Sequence, residues 1–445
     1  MSVPELTSSD VAIHKAGNLP TARLIASVVR AGDRVVVKPN LVLDENEGTG
    51  GMEPLVTDPA LIRAAAEAAL DAGAGEVVVG DAPIQKCRFD ALLEKTGLAE
   101  WAAKLAASEP RFKGIRDFRR TTCVMIGGGI RVAAENLKPE DQFVLFDLGQ
   151  QSLLEPISDD RQSFRVSWYD PRLMARTHHR GRHQYLVAKE VVDADVVINL
   201  PKLKTHRKAG ITCALKNLIG INGNKEYLPH HRIGGSEAQG DCYPGRSRVK
   251  EALEYTADRQ NESKTALQNA FWYPFFVGFA LLSRWNGDRL GIDGSWSGND
   301  TIWRTCLDLN RILLYGTPDG KLGETVRRRV IHIADANIAG QGDGPLAPDP
   351  LPMGLMLASR NACAMDYAGA LLLGYDPDRI KLVRESFGAF RWPIAQFGPA
   401  DVRISGDLGQ GLAADVIERA GAVPDGIRYP IGWKDAAAPA AVQAR

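Results

Sequence analysis

Residues 196–221, VVINLPKLKTHRKAGITCALKNLIGI, decide the fold class. The opening VVINL is a short apolar run without polar alternation, the pattern of a strand buried on both faces in an α/β sheet. The run ends at Pro201, and Lys202, Lys204 and His206 follow at alternating positions. In extended backbone these three side chains point to one side. Ligands of open α/β sheets bind beyond the carboxyl ends of the strands, so this loop is the first candidate site. Gly210, after Ala209, lets backbone approach a ligand closely, and residues 211–219 start a helix whose N-terminal amides favour an anion. The loop therefore offers a base near neutral pH in His206. It also offers amines in Lys202, Lys204 and Lys216 that hold an anion or form a covalent adduct.

Outward from this stretch, residues 34–38 (RVVVK) and 76–80 (EVVVG) read as strands on either side of a helix. Asp58 is the expected N-cap of that helix, Pro59 its first residue and Gly73 its end. Strand, helix and strand make a βαβ unit with parallel pairing. Further strands are expected at 122–126, 143–147, 185–188 and 195–200, with Gly127-Gly128-Gly129 as a turn. Residues 248–285 and 301–314 have helical periodicity, and 291–300 (GIDGSWSGND) is a turn-rich loop between them. A second α/β stretch is expected from strands at 330–334, 353–358 and 402–405 and helices at 361–373 and 412–420. The expected fold is α/β: two lobes with parallel or mixed sheets, a ligand cleft between them, and a helical insertion. The corresponding boundaries are 1–225, 226–328, 329–434 and a flexible tail, 435–445.

The chain has 445 residues, 54 Lys+Arg and 54 Asp+Glu, for a formal net charge of zero. That balance excludes function classes that work through a large single-sign field, such as a general nucleic-acid coat. The balance is local only in part. Between Arg161 and Lys216 twelve Lys/Arg face four Asp/Glu, an excess of eight positive charges, and four of the eight histidines fall there too. Such a cluster suits a small anionic substrate. The N-terminus lacks a basic and apolar leader pattern, so a cytoplasmic address is the default expectation. The apolar stretch 271–282 (FWYPFFVGFALL) contains Pro274 and is shorter than the roughly 20 residues of a spanning helix; no transmembrane segment is expected. It reads as a buried helix or a docking surface, with a homo-oligomer as one use of such a surface. The six cysteines never approach within 29 positions of one another. With no C-x-x-C pair, neither a zinc ribbon nor a local iron–sulfur motif is indicated, and reduced buried thiols are expected.

Other strand-end loops add candidates. Lys38 and Asn40 follow the strand at 34–38, and Asp81 ends the next one, as an acid/base or a cap. Gly342 and Gly344, within GQGDGP (340–345), allow backbone to approach a phosphate, although the run matches neither a P-loop nor a dinucleotide fingerprint. His230 and His231 are a candidate metal-ligand pair.

VVVKPNL, NLPKLKTHRKAGITCALKNLIGINGNK, DGSWSGNDTIWRTCLDLNRILLY and GQGDGPLAP together resemble a widespread prokaryotic domain-of-unknown-function family, over most of residues 35–375. Many of its members carry an added ferredoxin-like cysteine cluster and are described as iron–sulfur proteins; this chain lacks those cysteines. The run His206-x-x-Ala209-Gly210-x-Thr212, with Lys216 beyond it, is more distantly similar to the lactate racemase family. That resemblance implies His206 as acid/base, Lys216 as the tether of a nickel-pincer nucleotide, and His231 beside His230 as nickel ligand. Here Cys213-Ala214-Leu215 replaces the Gly-Gly-Arg that precedes the lysine in that family.

The leading expectation is an isomerase, racemase-like, or a redox enzyme acting on a small anionic hydroxy-acid or sugar-type substrate. His206 and Lys216 are its catalytic candidates. Lys216, Lys202, Lys204, Gly210, Thr212, Lys38, Asn40, Gly342 and Gly344 are candidates for cofactor or anion binding, and His230 and His231 for a metal. The alternatives are a metal-free transferase or ligase acting on a phosphorylated or nucleotide-linked substrate, and a non-catalytic binding protein that uses the basic cleft.

Overall fold

A computed structural model of the chain describes residues 6–126, 130–135 and 137–438. The expected Gly127–Gly129 turn lies outside them. An 11-stranded mixed sheet organises the molecule. Its strands are β1 (Asp10–Lys15), β2 (Arg34–Pro39), β3 (Glu76–Asp81), β4 (Phe112–Asp117), β5 (Val196–Leu200), β6 (Lys202–His206), β7 (Gly210–Thr212), β8 (Arg329–Asp343), β9 (Ala347–Ser359), β10 (Arg403–Gly406) and β11 (Gly411–Leu412). The path across the sheet is β11-β10-β1-β9-β8-β5-β2-β3-β4, and β6 departs from it to pair with β8 and β7. Pairings β8-β5-β2-β3-β4 are parallel, as the buried apolar runs predict. Val35, Val37, Val77, Val79, Val196 and Ile198 pack into one core layer. Val36, Val78 and Val197 pack into another on the opposite face. Continuous apolar runs are needed because helices and loops cover both faces.

The α/β class and mixed sheet are as expected. The strands of the two expected lobes are hydrogen-bonded into one sheet, with Val196–Asn199 of β5 in parallel register with Arg329–His332 of β8. Between β2 and β3 runs α1 (Pro59–Asp71), with Asp58 Oδ1 accepting from the Ala60 N–H at 2.8 Å and Pro59 at the first helical position. The other helices that matter here are α2 (Ala214–Asn217), α3 (Arg248–Asn261), α4 (Ala266–Trp285), α5 (Ile302–Tyr315) and α6 (Ala362–Leu372). Three smaller sheets lie off the main one. Residues 435–438, expected in a frayed tail, are held: Ala436 is buried and Ala437 bridges to Tyr375. No helix among the described residues is long and apolar enough to cross a membrane. Five of the six cysteines are buried and all are free thiols.

The apolar stretch 271–282 is helical, within α4, but it is not buried. Only Asn269 and Ser283 of that helix are enclosed, while Leu267 is 83%, Phe271 61% and Trp285 88% exposed.

Candidate functional site

A cavity of about 880 Å³ opens where β2, β3 and the β6–β7 loop end and the insertion closes over them. Its size is in the range that encloses a small ligand or cofactor. His206, Lys208, Thr212, Lys216, His230, His231, Asn40 and Asp81 line it, together with Glu254 of α3 and Phe276 and Arg284 of α4.

The loop after Pro201 is extended as expected: Lys202–His206 forms β6, turns at Arg207–Ala209, and returns as β7 with Lys204 opposite Thr212. Its three alternating side chains meet different fates. Lys202 Nζ lies 2.5 Å from Asp335 Oδ2 and donates to the Ile338 carbonyl at 3.2 Å. Lys204 Nζ donates to the Leu55 carbonyl at 2.5 Å, and burial, with Lys202 and Lys216 nearby, pulls its pKa well down. Neither lysine lines the cavity. The expectation that they hold a substrate anion is corrected, because both are buried against protein oxygens outside the cavity. His206 alone of the three reaches the cavity.

The ring of His206 has a defined tautomer. Its Nδ1 accepts hydrogen bonds from the Lys208 and Ala209 backbone N–H groups, at 3.0 and 3.2 Å. The proton of the neutral ring is therefore on Nε2. Burial, followed by Lys216 and Lys208, holds the pKa well below the usual histidine value, so the ring is neutral at pH 7. His206 consequently presents an N–H donor to a ligand. His230 is its complement: Nδ1 donates to the Leu228 carbonyl at 2.6 Å, leaving a bare lone pair on Nε2. Burial, then Lys216 and Lys208, also lowers its pKa strongly.

Lys216 stands on α2, a helix of one turn fixed at both ends. The Leu215 N–H donates to Asp366 Oδ1 at 3.1 Å, and burial raises the pKa of Asp366 to about 7. The acceptor at this helix start is thus a protein carboxyl group rather than a ligand, unlike the expectation. At the other end Asn217 Nδ2 donates to Asn199 Oδ1 at 2.8 Å, and Lys38 Nζ donates to Asn217 Oδ1 at 3.2 Å. Lys216 Nζ itself has no hydrogen-bond or ion-pair partner among the described residues, and burial, then Lys208 and Lys38, lowers its pKa against a raising contribution from Cys306. Thr212 Oγ1 and Asn40 Oδ1 are buried with no partner there either.

The remaining candidates are placed differently. Lys38 forms a buried pair with Asp81, 2.8 Å apart, and does not line the cavity. A Cβ on Gly220 would sit 1.9 Å from Asp81 Oδ1, so glycine is required beside this pair. Gly210 has φ +80°, and a Cβ there would meet Trp433 at 2.7 Å; the close approach is to a protein ring, not a ligand. Gly342 and Gly344 belong to the turn joining β8 and β9, where a Cβ on Gly344 would strike the Thr205 carbonyl at 2.1 Å. They do not line the cavity; Asp343 and Pro345 do. The phosphate-cradle expectation is corrected accordingly. His231 lines the cavity with Nδ1 unpartnered. Among the described residues no three His, Cys, Asp or Glu side chains are grouped to share an ion, so a metal centre held by the chain's own donors does not fit at His230 and His231.

Sequence reading missed Lys208 as the anchor of the far wall. Its Nζ pairs with Asp293 Oδ2 at 3.2 Å and donates to Ser167 Oγ at 3.2 Å. Burial would raise the pKa of Asp293, but Lys208 and Arg207 outweigh it and hold the carboxyl well below its ordinary range. It also missed Glu254, whose pKa burial raises to about 7. The turn-rich loop 291–300 was the available signal for Asp293; nothing local marked Glu254.

The family model described as Domain of unknown function (DUF362) matches residues 35–131 and 162–371. A thylakoid-associated protein of Synechocystis is 23% identical over 356 residues, which cover 80% of this chain and 68% of that protein. A crystallised Thermotoga maritima protein matches 76% of this chain at 11% identity with a TM-score of 0.31. The lactate racemase apoprotein of Thermoanaerobacterium thermosaccharolyticum matches 82% at 9% identity with a TM-score of 0.25. The chain spans 55% and 57% of these two solved proteins. Scores this low carry no functional argument.

Proposed function

We propose, starting from the fact that the chain belongs to the Domain of unknown function (DUF362) family, that it is an isomerase, racemase-like, that moves a proton on a small anionic hydroxy-acid or sugar-type substrate. One observation supports this above the rest: an N–H donor on His206, a bare nitrogen on His230 and an unpartnered amine on Lys216 share one cavity. In this reading Lys216 binds the carboxylate or phosphate, whose charge favours its ammonium form against the lowering by burial. His230 Nε2 takes the proton from the carbon next to a carbonyl and becomes imidazolium. Charge then gathers on the carbonyl oxygen, where His206 Nε2–H donates to it, as a neutral histidine suits. Return of the proton from His230 to the neighbouring carbon, while His206 passes the hydroxyl proton between the two oxygens, completes the isomerisation. His206, expected as the acid/base, is here the electrophile, and His230 is the base. We place the enzyme on the cytoplasmic side, in water or at a membrane surface such as the thylakoid association of the Synechocystis relative describes.

The test is solvent exchange. The purified chain is incubated in D2O with a panel of 2-hydroxy acids, 2-oxo acids and sugar phosphates, and deuterium on carbon is read by mass spectrometry. At least one compound takes up deuterium. His230→Gln slows that uptake by about 10²-fold or more, and His206→Gln, which keeps an N–H donor, slows it less than His206→Ala. No uptake from any member of the panel, or uptake by His230→Gln at the native rate, refutes the reading.

A further inference from the structure

Helices α3 and α4 form a hairpin whose polarity is reversed. The enclosed side of α4 holds Asn269 and Ser283. Gln260 Nε2 donates to Asn269 Oδ1 at 3.2 Å, and Ser283 Oγ donates to Asp288 Oδ2 at 3.2 Å. The outward side carries Leu267, Phe271, Phe275, Leu282 and Trp285 at helical spacing, with Leu281 beside them; all are exposed, from 44% at Leu282 to 88% at Trp285. A surface helix ordinarily turns its polar face outward, and a contiguous apolar row this long marks a contact surface.

The charges around the row say what it contacts. Acids of the hairpin are neutralised within the protein: Glu251 by Arg246, Asp258 by Arg165, Glu262 by Arg259 and Asp288 by Lys250. Glu254 is buried, accepts from the Gly234 N–H and the Tyr243 hydroxyl, and has its carboxyl shifted up to about 7 by burial. In contrast Arg248, Lys264, Arg284 and Arg289 have no side-chain hydrogen bond or ion pair among the described residues. Apolar area bordered by uncompensated cations is complementary to a bilayer with anionic headgroups. It is not self-complementary: a two-fold dimer sets the same patch against itself and would bring these cations together. Phe276, Ala280 and Ser283 line the cavity from the enclosed side of α4, so the row faces away from the cavity.

We infer that α4 is a surface-binding helix that docks the protein on a bilayer carrying anionic headgroups. The apolar row enters the acyl boundary while Lys264, Arg284 and Arg289 meet the headgroups. Nothing in this assignment depends on the proton transfer proposed above.

Flotation of the full chain with vesicles tests it. Vesicles of phosphatidylcholine mixed with phosphatidylglycerol bind the chain, vesicles of phosphatidylcholine alone bind it far less, and added salt weakens binding. Phe271→Ser/Trp285→Ser, at exposed positions that leave the circular dichroism spectrum unchanged, lowers partitioning by more than about tenfold. Lys264→Glu lowers it on anionic vesicles only. Absence of binding, equal binding to both vesicle types, or native binding by the double variant overturns the inference. So does a sedimentation measurement showing a dimer that Phe271→Ser/Trp285→Ser dissociates, which would assign the row to a second copy.

Discussion

Replacing Lys38 by Met tests whether that residue is structural or ligand-binding. Lys38 and Asp81 are both almost wholly buried and 2.8 Å apart. Burial pushes the Lys38 pKa down and the Asp81 pKa up, each opposed by the partner's charge. Both ions are therefore costly to bury, and each is retained because the other is present. Removing one partner of such a pair costs about 3–5 kcal/mol, while removing both costs little. At about 2.1 cal/mol/K per residue, a chain of this length has an unfolding entropy near 0.9 kcal/mol/K. A loss of about 4 kcal/mol then lowers Tm by about 4 °C if the sheet unfolds as one unit. Lys38→Met and Asp81→Asn are each expected to show that loss. The double variant keeps an acceptor for the Leu41 N–H, which now donates to Asp81 Oδ2 at 2.7 Å, and recovers more than half of it. Urea unfolding of the four proteins gives the coupling, expected at about 2 kcal/mol or more. If Lys38→Met lost less than about 1 kcal/mol and instead abolished ligand binding, the pair would not be the closed contact described here.

Two further outcomes follow from buried groups. Burial holds His178, His206, His230 and His231 well below the ordinary histidine pKa, and His332 at about 3. These five are neutral when folded and protonated when unfolded below about pH 6.5, so the unfolded chain binds more protons and stability falls with pH. Asp366 and Glu254, both raised to about 7 by burial, bind protons in the folded chain and oppose this. The more numerous histidines dominate, so stability falls as pH drops from 7 toward 5, and a urea midpoint that stays level over that range contradicts it. Thr212→Val replaces a buried hydroxyl that has no partner among the described residues. The ligand-free variant should match or exceed native stability, by up to about 2 kcal/mol in thermal unfolding. A clear loss of stability would mean that the hydroxyl is already satisfied.

The parts of the fold legible in the sequence were those set by local chemistry. VVVK, VVVG and VVINL read as strands because both sides of each are apolar, and the helix at 59–71 read correctly because Asp58 and Pro59 fix its start. What escaped was set by residues far apart in sequence. Nothing near Lys202 announces Asp335, and nothing near Lys204 announces the Leu55 carbonyl, so two lysines held by protein oxygens read as anion ligands. His206 and Lys216 flank one strand-end loop and both line the cavity, yet the direction of the His206 proton depends on two backbone amides that only the folded turn supplies. The composition of α4 marked it as apolar without saying which way it faces. That depends on Gln260 and Asn269 meeting across the hairpin.

The position of β1 bears on how the chain is made. Val11 pairs with Ser359 on one side, and Asp10 pairs with Arg403 on the other. A ribosome adding about 5–20 residues per second therefore takes on the order of 20–80 s to deliver the last of these neighbours after the first strand has emerged. Through that interval β1 has exposed backbone donors and acceptors on both edges. Sheet assembly can begin at β2 and β3, which neighbour each other early. Closure by β1 comes at the end, making its shielding during synthesis a step on which the yield of native protein depends.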